Sequence, residues 1–408
     1  MSTAPAPPVP TRLPILFIMM TVMIDSMGIG LILPVLPDLI LELNGGTLAA
    51  AAIWGGVLST SFAVMQFLCG PLLGALSDRY GRRPVLLISV GIMAVDYLVM
   101  AVAGTIWLLL AARIVGGITS ATQSTATAFL ADISEPHEKA ARFGLVGASF
   151  GMGFVLGPLM GGLLGEMGTR APFYAAAALS ALNLLLGLLV LPETVTEATR
   201  RPFRRAAAHP LGALRQIGRL DGARALLTVF FLYQLAFYVY PATWAYFTQA
   251  RFGWDPGLIG ISLAVFGVSM AAVQGGLIRL VQPRLGERRM VAAGLVLSIG
   301  AFTTLSVLTS GAAVLALIPV AALGAITPPA LQSIMSRAAR DDEQGTLQGV
   351  LTSVNAVAVI LAPLVMTWTF AAFTHPQAPV DFPGAAFLLS ALLVATALAV
   401  FARRAPAR

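Results

Sequence analysis

The chain is divided into long apolar runs, each near the ~20 residues that an α-helix needs to cross the hydrocarbon core of a bilayer. They fall at about 13–36, 49–76, 84–103, 107–130, 141–164, 172–191, 223–247, 257–281, 289–310, 312–334, 345–371 and 383–402. Strands of a membrane barrel would be ~10 residues of alternating polarity, and no such pattern occurs in the sequence. The expected fold is an all-α membrane protein with twelve transmembrane helices. Only 11% of residues are charged and 58% are hydrophobic, whereas a soluble domain is about 25% charged. The first run does not read as a cleavable signal, because it is long, follows a proline-rich stub from Met1 to Pro10 and contains Asp25.

The arginines give the orientation. Of 25 basic residues, only Arg170 and Arg251 fall in odd-numbered loops and Arg113 lies inside helix 4; the rest sit in or beside even-numbered loops and the termini. By the positive-inside rule both termini are cytoplasmic. The sequence pI of about 10.2 then reflects topology and attraction to anionic lipids rather than nucleic-acid binding. A basic stretch containing Arg200, Arg201, Arg204, Arg205, Arg215 and Arg219 reads as a solvated linker. The linker, at 192–222, separates an N-terminal six-helix bundle at 1–191 from a C-terminal one at 223–408. Cys69 is the only cysteine, so no disulfide framework exists.

The halves repeat. A shift of 205 residues lays Arg79, Gly81 and Arg83 on Arg284, Gly286 and Arg288, Gly144 on Gly349, and Pro158 on Pro363. Parallel repeats of this kind relate two bundles about the membrane normal and place a cavity between them. Asp78 falls on Pro283, so the sequence suggests that only the first of the two loops keeps its acid.

That first loop reads GALSDRYGRR, and its Gly74, Ser77, Asp78, Arg79, Gly81, Arg82 and Arg83 set one acid among arginines around a turn glycine. A carboxylate held by guanidiniums or by the positive end of a helix can latch one conformer. The segment resembles the loop between helices 2 and 3 of the major facilitator superfamily. Helix 5 carries GMGFVLGPLMGG, in which Gly153, Gly157 and Gly161 share a face, Pro158 interrupts the hydrogen-bond ladder and Gly162 follows. This pattern resembles the antiporter signature of drug/proton exchangers in the same superfamily, and its expected role is sealing and rocking.

A charge near the bilayer centre costs at least ~2.5–3.5 kcal/mol on insertion scales and marks a functional site by default. Three such residues require explanation: Asp25 in helix 1, Asp96 in helix 3 and Arg113 in helix 4. An aspartate facing a cavity that opens and closes can load and release a proton, with Asp25 the leading proton carrier and Arg113 biasing the exchange. The alternative is a static pair of Asp25 or Asp96 with Arg113 that only fixes packing.

The strings DSMGIGLILPVLP, MQFLCGPLLGALSDRYGRRPVLL, FGLVGASFGMGFVLGPLMGG, PATWAYFTQARFGW and QGTLQGVLTSVNA extend the likeness over nearly the whole chain, to the tetracycline/proton antiporter family. The resemblance implies the twelve-helix major facilitator fold and makes Asp25, Gln66, Asp78, Asp96, Arg113 and Gln274 counterparts of functional polar residues. It also implies export of a drug-like small molecule in exchange for protons, from the bacterial cytoplasmic (inner) membrane, with no cofactor beyond the coupling proton. A divalent metal would travel with a tetracycline-type cargo. The chain departs from the family at Ser298, where an acid is usual in helix 9, and at Met270, where a histidine is usual in helix 8. Those losses leave a neutral C-terminal cavity wall of Gln234, Tyr238, Tyr240, Trp244, Gln274, Gln332 and Asn355. Aromatic faces with a few amides suit a large, planar, partly polar ligand, although each group equally suits an interhelical hydrogen bond. Neutral, zwitterionic or monocationic drugs are therefore expected over compact dications.

Other functions fit poorly. No G-x-x-x-x-G-K-(S/T) loop is present for an ATP-driven pump. His137, His209 and His375 lie in loops far apart in sequence, so no metal set or base for an enzyme is apparent. Efflux of a phenicol, dye or metabolite remains as an alternative, as does a non-transporting receptor on the same fold. A monomer is expected.

Overall fold

The structure, a computed structural model, describes residues 12–120, 122–135, 137–197, 200, 224–340 and 343–404. Most of the expected linker at 192–222, including Arg201, Arg204, Arg205, Arg215, Arg219 and His209, lies outside the described residues.

The helices are α1 (Arg12–Ile32), α2 (Leu36–Asn44), α3 (Leu48–Tyr80), α4 (Arg82–Val102), α5 (Ile106–Thr119), α6 (Thr122–Ile133), α7 (Lys139–Gly165) and α8 (Ala171–Val190). The second half holds α9 (Arg224–Phe237), α10 (Val239–Phe252), α11 (Pro256–Ala272), α12 (Ile278–Val307), α13 (Gly311–Ala321), α14 (Thr327–Ala338), α15 (Gln344–Thr374) and α16 (Ala385–Arg404). Several spans are built from two helices. Spans 4, 7 and 10 are α5 with α6, α9 with α10, and α13 with α14. Span 8 runs from α11 through a π-helical stretch, Val273–Leu277, into α12, which breaks at Gly286 before continuing as span 9. The twelve expected spans are thus present, with α2 an extra short helix after span 1.

The repeat is carried by local chemistry as well as by sequence. Gly81 and Gly286 both take positive φ, 112° and 70°, at the turn between the second and third spans of each half. A side chain is strained in that region and glycine is not. Thr105 caps α5 by accepting from the Leu108 amide, and Ser310, 205 positions on, caps α13 by accepting from the Ala313 amide. The Glu138 side chain accepts from the Glu135 amide before α7, as Glu343 does from the Arg340 amide before α15. Each satisfies an amide that has no intrahelical acceptor.

The halves meet along two pairs of helices, α3 against α15 and α7 against α11. Close contacts lie toward the ends remote from the arginine-rich loops. A side chain at Gly56 would run into Thr367 and Pro363, and the Thr60 hydroxyl donates to the Ile360 carbonyl at 3.0 Å. On α7, Gly162 lies against Pro256, Gly257 and Gly260, and the Pro158 carbonyl faces Gly260. Toward the arginine-rich face the same helices separate. Gly70 and Gly74 on α3, Gly144, Gly147 and Gly151 on α7, and Gly275 and Gly276 beyond α11 have open space where a Cβ would stand.

Candidate functional site

The closed side is sealed by polar and steric contacts. Asp38, in the first turn of α2, accepts from the Gln249 amide of α10 at 2.7 Å, tying the two halves together. The Tyr246 ring lies against Gly55, with its hydroxyl buried and unpaired among protein groups. Between them remains a cavity of about 10 Å³, lined by Leu33, Gly55, Ser59, Tyr240, Trp244 and Leu263 among others. That volume holds at most about one water. A ligand cannot pass there in this conformer, whereas the arginine-rich face is parted.

The helix 5 motif works on two sides. Gly153, Gly157 and Gly161 let α7 lie directly on the α1 backbone, where any Cβ would meet the carbonyls of Met23, Met27 and Leu31. The Ser26 hydroxyl donates to the Phe150 carbonyl at 2.7 Å across the same seam. Pro158 rests on Gly30, and Gly162 turns to the other half. One helix therefore couples α1 to α11.

Asp25 lies on α1 between Met23 and Met27, the residues the α7 glycines touch. Its residue is half-buried, and no hydrogen bond or ion pair reaches it among the described residues. One turn away, the Tyr97 hydroxyl of α4 lies against Gly28 of α1. Asp96 is buried on α4, with Oδ2 against Gly116 and Oδ1 unpaired. Arg113 stacks on the Phe62 ring, its guanidinium carbon 4.5 Å from the centroid, and buries Nε without a partner. A cation over a ring gains roughly 0.5–2 kcal/mol. Neither aspartate forms a direct ion pair with Arg113, so the static pair is not the arrangement adopted. The three charges are gathered in one half, close but unneutralised.

The expected C-terminal wall divides. Gln234 donates to Asn355 across α9 and α15, and Tyr238, whose amide donates to the Gln234 carbonyl at 3.1 Å, is half-buried beside them. Gln274, in the π-helical stretch, and Gln332, on α14, are exposed, and Gln66 on α3 is half-buried. Trp244 corrects the expectation: it is 3% exposed and its indole N–H donates to Ser262 at 2.8 Å, inside an aromatic cluster with Tyr240, Phe247 and Phe387. Its N–H is already satisfied, and the ring borders only the closed cavity at the seam in this conformer. Tyr240 is buried in the same cluster. Ser298 is buried too, donating to the Gly294 carbonyl and abutting Gly324, whose carbonyl accepts from Tyr233. The position where the family carries an acid therefore faces a helix junction, not the cavity.

In the latch loop, Arg82 is the hub. It pairs with Asp78 at 2.5 Å and Asp132 at 3.2 Å, and donates to Ser77 at 2.6 Å. Arg83 donates to the Leu188 carbonyl, and Arg79 lies over the Tyr80 ring. Glu193 accepts from the Arg82 and Arg83 amides, so a carboxylate occupies the positive end of α4. These contacts stay within the N-terminal half, as fits an unlatched loop. Glu193, Asp132, Asp38, Gln249 and Tyr97 had no motif to reveal them. The spacing of Gly257, Gly260 and Gly267 on α11 offered a signal for the partner of the helix 5 stripe.

Comparisons agree with this geometry. The Major Facilitator Superfamily model matches residues 18–363 and 226–408. The class C tetracycline resistance protein of Escherichia coli is 40% identical over 394 residues, 97% of this chain and 98% of that protein. The human major facilitator superfamily domain-containing protein 10 is 32% identical, with 88% and 89% covered. Its crystal structure, titled a human organic anion transporter, aligns with TM-score 0.68 at 26% identity over 96% of this chain and 99% of that one. A bacterial homologue of the lysosomal transporter Spinster aligns with TM-score 0.80 at 16% identity over 98% and 100%, a likeness of fold. Two six-helix halves with a glycine seam, an unneutralised helix 1 acid and an arginine-centred loop are thus found in a chain that belongs to the major facilitator superfamily of membrane transporters and, within it, to the family of the tetracycline resistance proteins.

Proposed function

We propose that the protein is a proton-coupled antiporter of the bacterial cytoplasmic membrane that exports a drug-like amphipathic compound, tetracycline-type efflux first, by alternating access. The observation that carries this reading is the placement of Asp25. An unpaired carboxylate on α1 sits beside the seam through which α7 joins α1 to the opposite half. Changing its charge changes the cost of exposing or burying that seam. Asp96 and Arg113 supply a second exchangeable acid and a fixed positive bias nearby. The half-buried Gln234–Asn355–Tyr238 cluster and Gln66 offer neutral contacts to the cargo, with Gln274 and Gln332 at the open mouth. The coupling ion is the proton, and a divalent metal would arrive only with a chelating cargo.

The test is a liposome experiment. Purified protein is reconstituted, a pH step is imposed, and tetracyclines, phenicols and cationic dyes are screened for substrate-dependent proton movement. Uptake against a gradient that collapses with a protonophore supports antiport, and substrate flux indifferent to pH refutes it. The human relative named as an organic anion transporter, together with the fixed positive charge of Arg113 stacked on Phe62, favours anionic or zwitterionic cargo as the second reading.

A further inference from the structure

The junction of Asp38 with Gln249, which ties the halves together on the closed face, is short of hydrogen-bond donors. Gln249 Nε2 donates to Asp38 Oδ1 at 2.7 Å, but Gln249 Oε1 is buried with no partner, as is the Tyr246 hydroxyl one turn earlier on α10. An ionised carboxylate only accepts, and so does an amide oxygen. One acceptor of the pair is therefore left unanswered, at a cost that a buried polar group pays in full. A glutamine amide carries its donor and its acceptor on neighbouring atoms, and a neutral carboxylic acid does the same. An ionised Asp38 matches half of that amide, and a protonated one matches all of it.

Among the described residues, no cation pairs with Asp38. Its helix, α2, packs on α3, α5 and α10. Between Leu48 and Ser77, α3 has no charged residue, and the single charge of α5, Arg113, is stacked on Phe62. From α10 come the Tyr246 phenol and Arg251, whose guanidinium donates to the Val307 and Leu308 carbonyls of its own half. On α2 itself, Glu42 is taken by Arg170 and Thr169. Two further acids of this face, Glu166 and Asp255, adjoin Gly257 on the α7–α11 seam. Thus α2 is fastened to its own half by Glu42 and to the opposite half by Asp38.

We propose that Asp38 is an outer proton site of the exchange cycle: a proton taken up from outside completes the pair with Gln249 and shuts the outer mouth behind the departed cargo. The inference rests on the antiport reading above. Its sign follows from linkage. With the mouth open the carboxylate is hydrated, and with it closed the neutral acid finds both partners, so the closed state holds the proton more tightly. Acid outside must then favour closure by the same factor.

The test is a distance between the halves in purified protein without cargo or gradient, so its failure is separate from that of the flux assay. In a Cys69→Ser background, spin labels are placed on Met167→Cys and Thr309→Cys, exposed outer positions of the two halves. Their separation is read by double electron–electron resonance as the pH is lowered from about 8 to about 5. The closed-mouth population should grow several-fold, and should still do so in Asp25→Asn. In Asp38→Asn it should be high and flat, because the new amide offers Gln249 both an acceptor and a donor. Flux of Asp38→Asn should fall roughly tenfold, since the cargo leaves through that mouth, with the melting temperature kept. A pH response unchanged in Asp38→Asn, or lost in Asp25→Asn instead, would overturn the proposal. So would an Asp38→Asn mouth that stands open at every pH, the mark of a purely structural contact.

Discussion

Gly162→Ala should shift the protein away from the conformer described here. A Cβ at Gly162 would run into the Pro256 carbonyl and stand 2.9 Å from the Gly260 Cα. Both neighbours are backbone, so neither can swing aside as a side-chain tip would. Adding a methyl group to such a junction costs about 1–3 kcal/mol. Under the alternating-access reading proposed above the junction belongs to the state with the outer face closed, so the cost falls on one state and moves the equilibrium by roughly five- to 150-fold toward outward opening. Ser59 lines the closed 10 Å³ cavity. In a Cys69→Ser background, Ser59→Cys should therefore react with an impermeant thiol reagent added from outside many times faster when Gly162→Ala is present. Gly147→Ala, whose methyl meets nothing in this conformer, should not raise the rate. An unchanged rate in a folded, membrane-inserted Gly162→Ala protein would show that this seam does not hold the outer gate.

Asp25→Asn should remain folded and inserted, since it removes an unpaired charge from α1, yet lose uphill transport; proton-coupled uptake at the wild-type rate in inverted vesicles would refute the coupling role. Asp78→Asn removes one arm of the Arg82 hub and should change turnover about tenfold if ~1.4 kcal/mol is lost, measured as initial flux; an effect no larger than that of Pro283→Ala would remove the latch argument. Outside the membrane-spanning segments, the hydrogen bond from Thr169 and the guanidinium of Arg170 hold the Glu42 carboxyl below its usual range. Its contribution is present above the ordinary carboxylate value and fades as pH falls through the lowered one. Thermal unfolding of Glu42→Gln should therefore differ from wild type by less than about 1 kcal/mol at neutral pH, as for an exposed, solvent-screened pair, and converge with it in acid; a gap that widens in acid contradicts the assignment.

The sequence by itself determined the architecture. Run length and charge scarcity pointed to twelve membrane helices, because lipid accepts few alternatives, and the arginine distribution gave the expected orientation. The 205-residue offset was legible because it repeats residues with strong backbone demands, among them Gly81 with Gly286 and Pro158 with Pro363. It also identified Asp25, Asp96 and Arg113, since a membrane-embedded charge is conspicuous in any apolar run.

Which side chains meet across helices was decided only in three dimensions. Trp244 read as a cavity aromatic and does border the closed cavity, but Ser262 on the neighbouring span already satisfies its N–H. Ser298 looked like a cavity position and faces a helix junction. Pro283 suggested a loop without its acid, and Glu287 supplies one from the next turn because Arg337 stands opposite. The choice of which face is closed came from contacts between residues hundreds of positions apart, such as Asp38 with Gln249 and Thr60 with Ile360. Periodicity within one helix tells which residues share a face, but not which helix that face meets, nor whether the meeting persists as the halves rock.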